Sequence, residues 1–127
     1  MPSKLRLQRI SDRIKQELSS MLVMNQIHDP RVYGTNVTDV TVDRELAYAS
    51  IYVSALEGVE RSKEILEGLN SANGFIRTTL AQRIELRSFP RLRFYWDTTP
   101  EHADHMEKLF AAIRKESEPV EEEKKDE

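Results

Sequence analysis

The sequence predicts an α+β domain with the element order α-β-β-α-α-β-α, and three observations carry that expectation. Apolar residues recur at helical spacing in four stretches. They alternate with period two, among β-branched and aromatic residues, in three others. The two kinds of stretch interleave along 127 residues, a length that suits one core burying about two-thirds of the unfolded surface.

Residues 4–24 place Leu7, Ile10, Ile14, Leu18, Met21 and Leu22 on one face of an amphipathic helix, with Asn25 as its end. In the loop QIHDPRVYG that follows, Pro30 forces Asp29 out of helical geometry. NVTDVTVD, residues 36–43, reads as a strand. Val37 is out of phase with Val40 and Val42, which predicts a bulge. ELAYASIYVS alternates Ala47, Ala49, Ile51 and Val53 against Tyr48, Ser50 and Tyr52, and the short DRE link makes the two strands a hairpin. A second helical pattern runs over about 59–72 and 75–86. Pro90 then resets the chain, and RLRFYWD turns Leu92, Phe94 and Trp96 inward and Arg91, Arg93 and Tyr95 outward. Thr99-Pro100-Glu101 is a helix start, and Met106, Leu109, Phe110 and Ile113 form the stripe that helix is expected to bury.

The middle helical pattern contains a contradiction. Ile65, Leu69, Ala72, Ile76, Leu80 and Ile84 keep one continuous apolar face through the sequence SANG, yet Asn73-Gly74 is a helix-ending pair that enters positive φ cheaply. An unbroken helix over 59–86 would be about 42 Å long. A domain of this size has a radius of gyration near 13 Å, so a bend at Asn73-Gly74 is needed to fold both halves onto one sheet. The bend also exposes the amide end of the second half, which with Arg77 one turn along would favour a phosphate. One bend can serve both ends.

Composition narrows the function. Hydrophobic residues are 39% and charged residues 32% of the chain, and no apolar run approaches the ~20 residues of a membrane span. The N-terminus has no secretory signal, and the absence of cysteine excludes disulfides and thiolate metal sites, so a cytoplasmic setting and no membrane partner are expected. The net charge of −3 conceals a segregation. The tail 117–127 is strongly acidic and is expected to be disordered, which leaves residues 1–116 as the folded domain with a slight positive balance. Basic residues cluster in 1–20 and in 76–93, where five arginines face Glu85 alone, and such clusters suit an anionic partner.

Several stretches then match a known pattern: RISDRIKQELSSML in the basic first helix, DPRV at 29–32, VTDVTVDRELAYASIYVS at 37–54, and LNSANGFIRTTLAQRIELRSFPRLRFYWD at 69–97. In this order they resemble the ribosome-binding factor A family, over roughly residues 4–114. The element order resembles a type II KH domain with a three-stranded sheet, but the turn Ser71-Ala72-Asn73-Gly74 replaces the backbone-clamping GXXG loop and matches the family's Ala-X-Gly kink. The resemblance implies a bacterial assembly factor that binds the free small (30S) ribosomal subunit and its 16S RNA. It also implies help in late maturation, including 5′-end processing, and support of growth in the cold. Such a factor is not an enzyme, and neither cofactor nor small-molecule substrate is expected. A monomer that recognises folded RNA by shape is the expected form.

The candidate contacts follow from both readings. Lys4, Arg6, Arg9 and Arg13 sit at the start of the first helix, where a positive charge close to the end opposes the helix dipole by roughly 0.3–1 kcal/mol, and Arg6, Arg9 and Arg13 form one stripe that suits phosphate contact or a solvated polar face. Arg91 and Arg93 flank the exposed Tyr95 and suit phosphate contact and stacking, or a charged outer sheet face. Arg31 either touches RNA or belongs to a turn capped by Asp29. Ala72, Asn73, Gly74 and Arg77 complete the set through the bend. Arg83 and Arg87 sit near a helix C-terminus, where cations are favourable without a ligand. His102 and His105, with Glu101 and Asp104 nearby, could offer two metal ligands, but no third is placed, so no metal site is expected. No glycine-rich phosphate loop or nucleophile elbow occurs, and no catalytic residue is expected.

Overall fold

In the computed structural model residues 3–117 are described, except for the side chains of residues 100–105 and 115–117. The side chains of Glu101, His102, Asp104 and His105, and the acidic tail beyond Ser117, therefore lie outside the described residues. The chain forms two compact units, residues 1–97 and 98–127.

Helix α1 spans Lys4–Val23, capped by the Ser3 hydroxyl oxygen, which accepts from the Arg6 N–H at 3.1 Å. It ends at Val23 with Met24 as its cap, just short of the expected Asn25, which turns the chain away with a left-handed φ of 53°. Asp29 is extended (φ −145°) ahead of a single 3₁₀ turn, Pro30–Val32, and its carboxylate caps that turn at the Arg31 N–H. Strands β1 (Thr35–Val42) and β2 (Tyr48–Ala55) form the expected antiparallel hairpin, with the register shift between Val37 and Asp39 where the pattern slips. Ala47 departs from the alternation. It lies outside β2 and is exposed, because the Asp43 carboxylate gathers the Ala47 and Tyr48 N–H groups at 2.7 and 3.1 Å and Leu46 turns at φ 57°. The Ala47 carbonyl instead accepts from the Arg91 N–H.

The interrupted helix is present as α2 (Ser62–Ser71) and α3 (Asn73–Arg83). Its hinge is Ala72, one residue earlier than expected, with φ −91° and ψ 5°. This corrects the reading of Asn73-Gly74 as a positive-φ pair. Neither residue has positive φ, and both belong to α3. A single bridge-region residue turns the chain while Ala72 still links both helices, its N–H donating to Gly68 and its carbonyl accepting from Ile76. Ile65, Leu69, Ile76, Leu80 and Ile84 are all buried, so the continuous apolar face does wrap across the bend. Helix α3 stops at Arg83, short of 86, where Ile84 becomes extended.

Strand β3 (Arg91–Trp96) lies parallel to β2, giving the order β1-β2-β3. Parallel neighbours need a crossover, and α2–α3 supply it. Helix α2 packs on β3 and on the 3₁₀ turn, while α3 packs on α1 and β3 and α1 on β1. The core therefore lies between the helices and one sheet face, where Ala49, Ile51, Val53, Leu92 and Phe94 meet Ile14, Leu18, Ile65 and Ile76. This is the expected α+β, type II KH-like arrangement.

The second unit, in its described residues, is one helix, α4 (Thr99–Ser117). Met106, Leu109, Phe110 and Ile113 are 43–50% exposed, which corrects the expectation of a buried stripe. The described part of that unit holds no second element against which a helix face could close. No helix among the described residues is long and apolar enough to cross a membrane.

Candidate nucleic-acid interface

The expected contacts separate into cations left free and cations committed to the fold. Lys4, Arg6 and Arg9 project from the first turns of α1, all exposed, and their side chains have no hydrogen-bond or ion-pair partner among the described residues. No acidic residue stands in that first turn. Arg6 also lines a concavity of about 580 Å³ with the hairpin residues Glu45 and Leu46 and with Leu86 and Arg87. Arg87, read from sequence as dipole compensation, is exposed there with no side-chain partner among the described residues, and only the packing of α1 beside the 84–90 loop reveals it.

Arg13 is different. Its Nη2 donates to the Arg83 carbonyl at 3.1 Å and meets Glu17 at 3.5 Å. Arg83 donates to Glu17 and Gln26, so the three side chains lace α1 to the end of α3. Arg31 is likewise engaged: its guanidinium forks onto Asp29, with Nη2 at 2.7 Å from Oδ2, and also reaches the Ser71 hydroxyl at 3.2 Å. The Arg31 side-chain hydrogen bond, helped by its backbone N–H, holds the Asp29 carboxyl below its ordinary value against the opposing effect of burial. The same bond raises Arg31. Arg61 joins this corner, donating to the Tyr33 carbonyl at 2.6 Å and the Arg31 carbonyl at 3.0 Å.

At the hinge, Asn73 and Arg77 also face inward. Asn73 Nδ2 donates to the Leu92 carbonyl at 3.2 Å, and Arg77 donates through Nε to Pro90 and through Nη2 to Phe89, fixing the start of β3. Gly74 is exposed and Ala72 half-buried. Beside them Gln26, His28, Ser71, Ala72 and the 52%-exposed Phe75 line a shallow cavity of about 310 Å³.

The sheet face turned away from the helices forms a third surface. The parallel register sets Tyr48 beside Arg91, Ser50 beside Arg93 and Tyr52 beside Tyr95. The Arg93 guanidinium carbon lies 3.6 Å above the centre of the Tyr48 ring, and Tyr52 and Tyr95 stack with centroids 5.4 Å apart. Sequence reasoning found each strand's outward residues but not this assembly, because alternation says nothing about which strands are neighbours. Among the described residues no group of three His, Asp or Glu side chains is placed to hold a metal.

The sequence matches the family model described as Ribosome-binding factor A over residues 6–110. The chain belongs to the ribosome-binding factor A family. Among relatives bearing that name, the Alcanivorax borkumensis protein is 43% identical over 112 residues, 87% of this chain and 81% of that one. The Finegoldia magna protein is 38% identical over 88% of this chain and 93% of its own. Solved structures agree. Ribosome-binding factor A from Thermus thermophilus matches with a TM-score of 0.60 at 26% identity, covering 70% of this chain and 93% of that one. A Thermotoga maritima protein described as a putative ribosome binding factor A matches with a TM-score of 0.55 at 34% identity, covering 67% and 84%. A homology model of the Thermus thermophilus factor, fitted into a cryo-electron-microscopy map of its complex with the 30S subunit, matches at 0.58 with 28% identity over 70% and 93%.

Proposed function

We propose that this chain is a non-catalytic assembly factor that binds the free small ribosomal subunit through 16S RNA. It acts in the cytoplasm as a monomer and assists late maturation, including processing at the RNA 5′ end and maturation in the cold. Family membership supports the partner, and the carrying observation on the protein itself is the triad of cations Lys4, Arg6 and Arg9, exposed and without a side-chain partner among the described residues. Lys4 and Arg6 stand in the first turn, where they oppose the dipole of their own helix, and Arg9 lies in the next turn. Phosphate contacts of this kind position a protein on RNA and release counterions.

The test is pelleting with purified small subunits across a salt series. Three phosphate contacts predict that affinity falls about 20- to 40-fold between 50 and 200 mM salt. The double variant Arg6→Glu, Arg9→Glu should pellet poorly and show a flatter salt dependence. Its thermal midpoint should be unchanged or higher, since acids at a helix start favour the dipole. Arg13 is left intact because it ties α1 to α3. Wild-type pelleting by the double variant would refute the role of α1.

A further inference from the structure

We propose that the open face of the sheet is a stacking platform for unpaired bases of single-stranded RNA, centred on Tyr95, Arg93, Tyr52 and Tyr48. It is a surface separate from the α1 cations, and it rests on the reading that the partner is RNA.

The three tyrosines and Arg93 stand on one side of two parallel strands, and two contacts already order them: guanidinium on Tyr48 and ring on ring at Tyr52–Tyr95. Tyr95 is 40% exposed, which is high for an aromatic ring that also stacks within its own sheet. Side chains two apart on a strand repeat every ~6.6 Å, so Arg91, Arg93 and Tyr95 form a row over which successive planar groups can lie. Aromatic rings and arginine planes are the groups on which splayed-out bases stack, and every base has a face to offer. A duplex, whose bases already stack on one another, has no such face free.

Charge sets the direction of the track. Arg91 and Arg93 line β3, one of the two edge strands, and the Arg91 guanidinium has no partner among the described residues. On the opposite side Asp39 of β1 pairs with Tyr52 and is exposed. Asp43, near the hairpin end, is spent on the loop N–H groups. A phosphate backbone is thus repelled from β1 and drawn to Arg91 and Arg93 in the first half of β3, short of Asp97, whose carboxylate accepts from the Thr38 hydroxyl, with the bases turned inward over the tyrosines.

The experiment titrates a fluorescein-labelled single-stranded RNA octamer and, separately, a blunt RNA duplex into the full chain by fluorescence anisotropy. Wild-type protein, Tyr95→Ala and Tyr95→Phe are compared, and the same three proteins are pelleted with small subunits. The proposal expects the octamer to bind more tightly than the duplex. Tyr95→Ala should weaken octamer binding about 5- to 150-fold while remaining folded at the assay temperature, its melt lowered only by the lost ring pair, and Tyr95→Phe, which keeps the ring, should bind as wild type does. Octamer affinity within twofold of wild type in Tyr95→Ala overturns the platform. So does an equal loss for octamer and duplex, or a defect confined to subunit pelleting, which would mean that another kind of partner occupies the face. If wild-type protein fails to pellet with subunits, the assembly-factor reading falls, while the octamer titration still decides the platform.

Discussion

Two glycines in the helix hairpin should respond in opposite directions to the same added methyl group. Gly68 lies in α2 where it meets the 3₁₀ turn: a Cβ there would stand 2.8 Å from Val32 Cγ1 and 3.0 Å from Arg31 Cβ. Val32 is buried, and Arg31 Cβ is the root of a side chain tied to Asp29 and Ser71, so neither neighbour yields easily. Overpacking of this kind costs about 1–3 kcal/mol, offset by about 1 kcal/mol from the better helix propensity of alanine. Gly68→Ala is therefore expected to lose about 1 kcal/mol. Gly74 sits in the first turn of α3 with ordinary φ, and a Cβ added there would meet nothing within 4 Å, so Gly74→Ala should gain about 0.4–1 kcal/mol. At about 4–8 °C per kcal/mol for a domain of this size, thermal melts should separate the two variants by roughly 6–16 °C, with wild type between them. Gly68→Ala melting at or above wild type would refute the close-approach argument. Gly74→Ala melting below it would show that the hinge does use a left-handed glycine.

Arg77→Met keeps the apolar stem but removes both donors to the 89–90 carbonyls, and should cost about 1.5–3 kcal/mol in the absence of any RNA. Denaturant melts check this, and an unchanged midpoint would return Arg77 to the set of free cations. Acid stability tests the Asp29–Arg31 fork. The folded carboxyl lies below 3.8, so its contribution is complete above that pH and is lost as pH falls through the lower folded value. Asp29→Asn should melt lower at neutral pH and lose less on acidification below about pH 4; an acid limb parallel to that of wild type would contradict the assignment.

What the sequence revealed depended on whether the signal was local. The slip of Val37 against Val40 and Val42 announced the β1 bulge, and Pro30 announced an extended Asp29, because each acts through its own backbone. Period and polarity placed the core of α1 and the wrapped face of α2–α3. Hinge geometry was less legible, since Asn73-Gly74 has a strong turn propensity that the chain does not use. The left-handed positions fall instead at Asn25, Gly34, Leu46 and Gly58. The candidate site was partly legible for the same reason. Clustered arginines are visible in a sequence, but a partner across the fold is not. Arg13 meets the carbonyl of Arg83, Arg31 meets Ser71, and Arg77 meets Phe89 and Pro90. Arg13 and Arg77 looked as free as Arg6 until the fold brought their acceptors near, whereas for Arg31 the turn capped by Asp29 was already legible and only the Ser71 contact was not. The stripe on α4 shows the converse limit, for a helical period states which residues share a face and not what covers it.

The parallel pairing of β2 with β3 also has a consequence during synthesis. The hairpin β1–β2 is complete by Ala55, but β2 is the central strand, and its second neighbour begins only at Arg91. At 5–20 residues per second, roughly two to seven seconds pass before that neighbour leaves the ribosome. Helices form within microseconds, so α2 and α3 can settle over Ile51 and Val53 well before then. Until β3 arrives, the edge of β2 from Tyr48 to Val53 presents unpaired amides and carbonyls to any other nascent chain. The strand that carries Arg91, Arg93 and Tyr95 is therefore also the one that covers the open side of the apolar central strand, moving the edge outward to a strand whose exposed residues include two arginines.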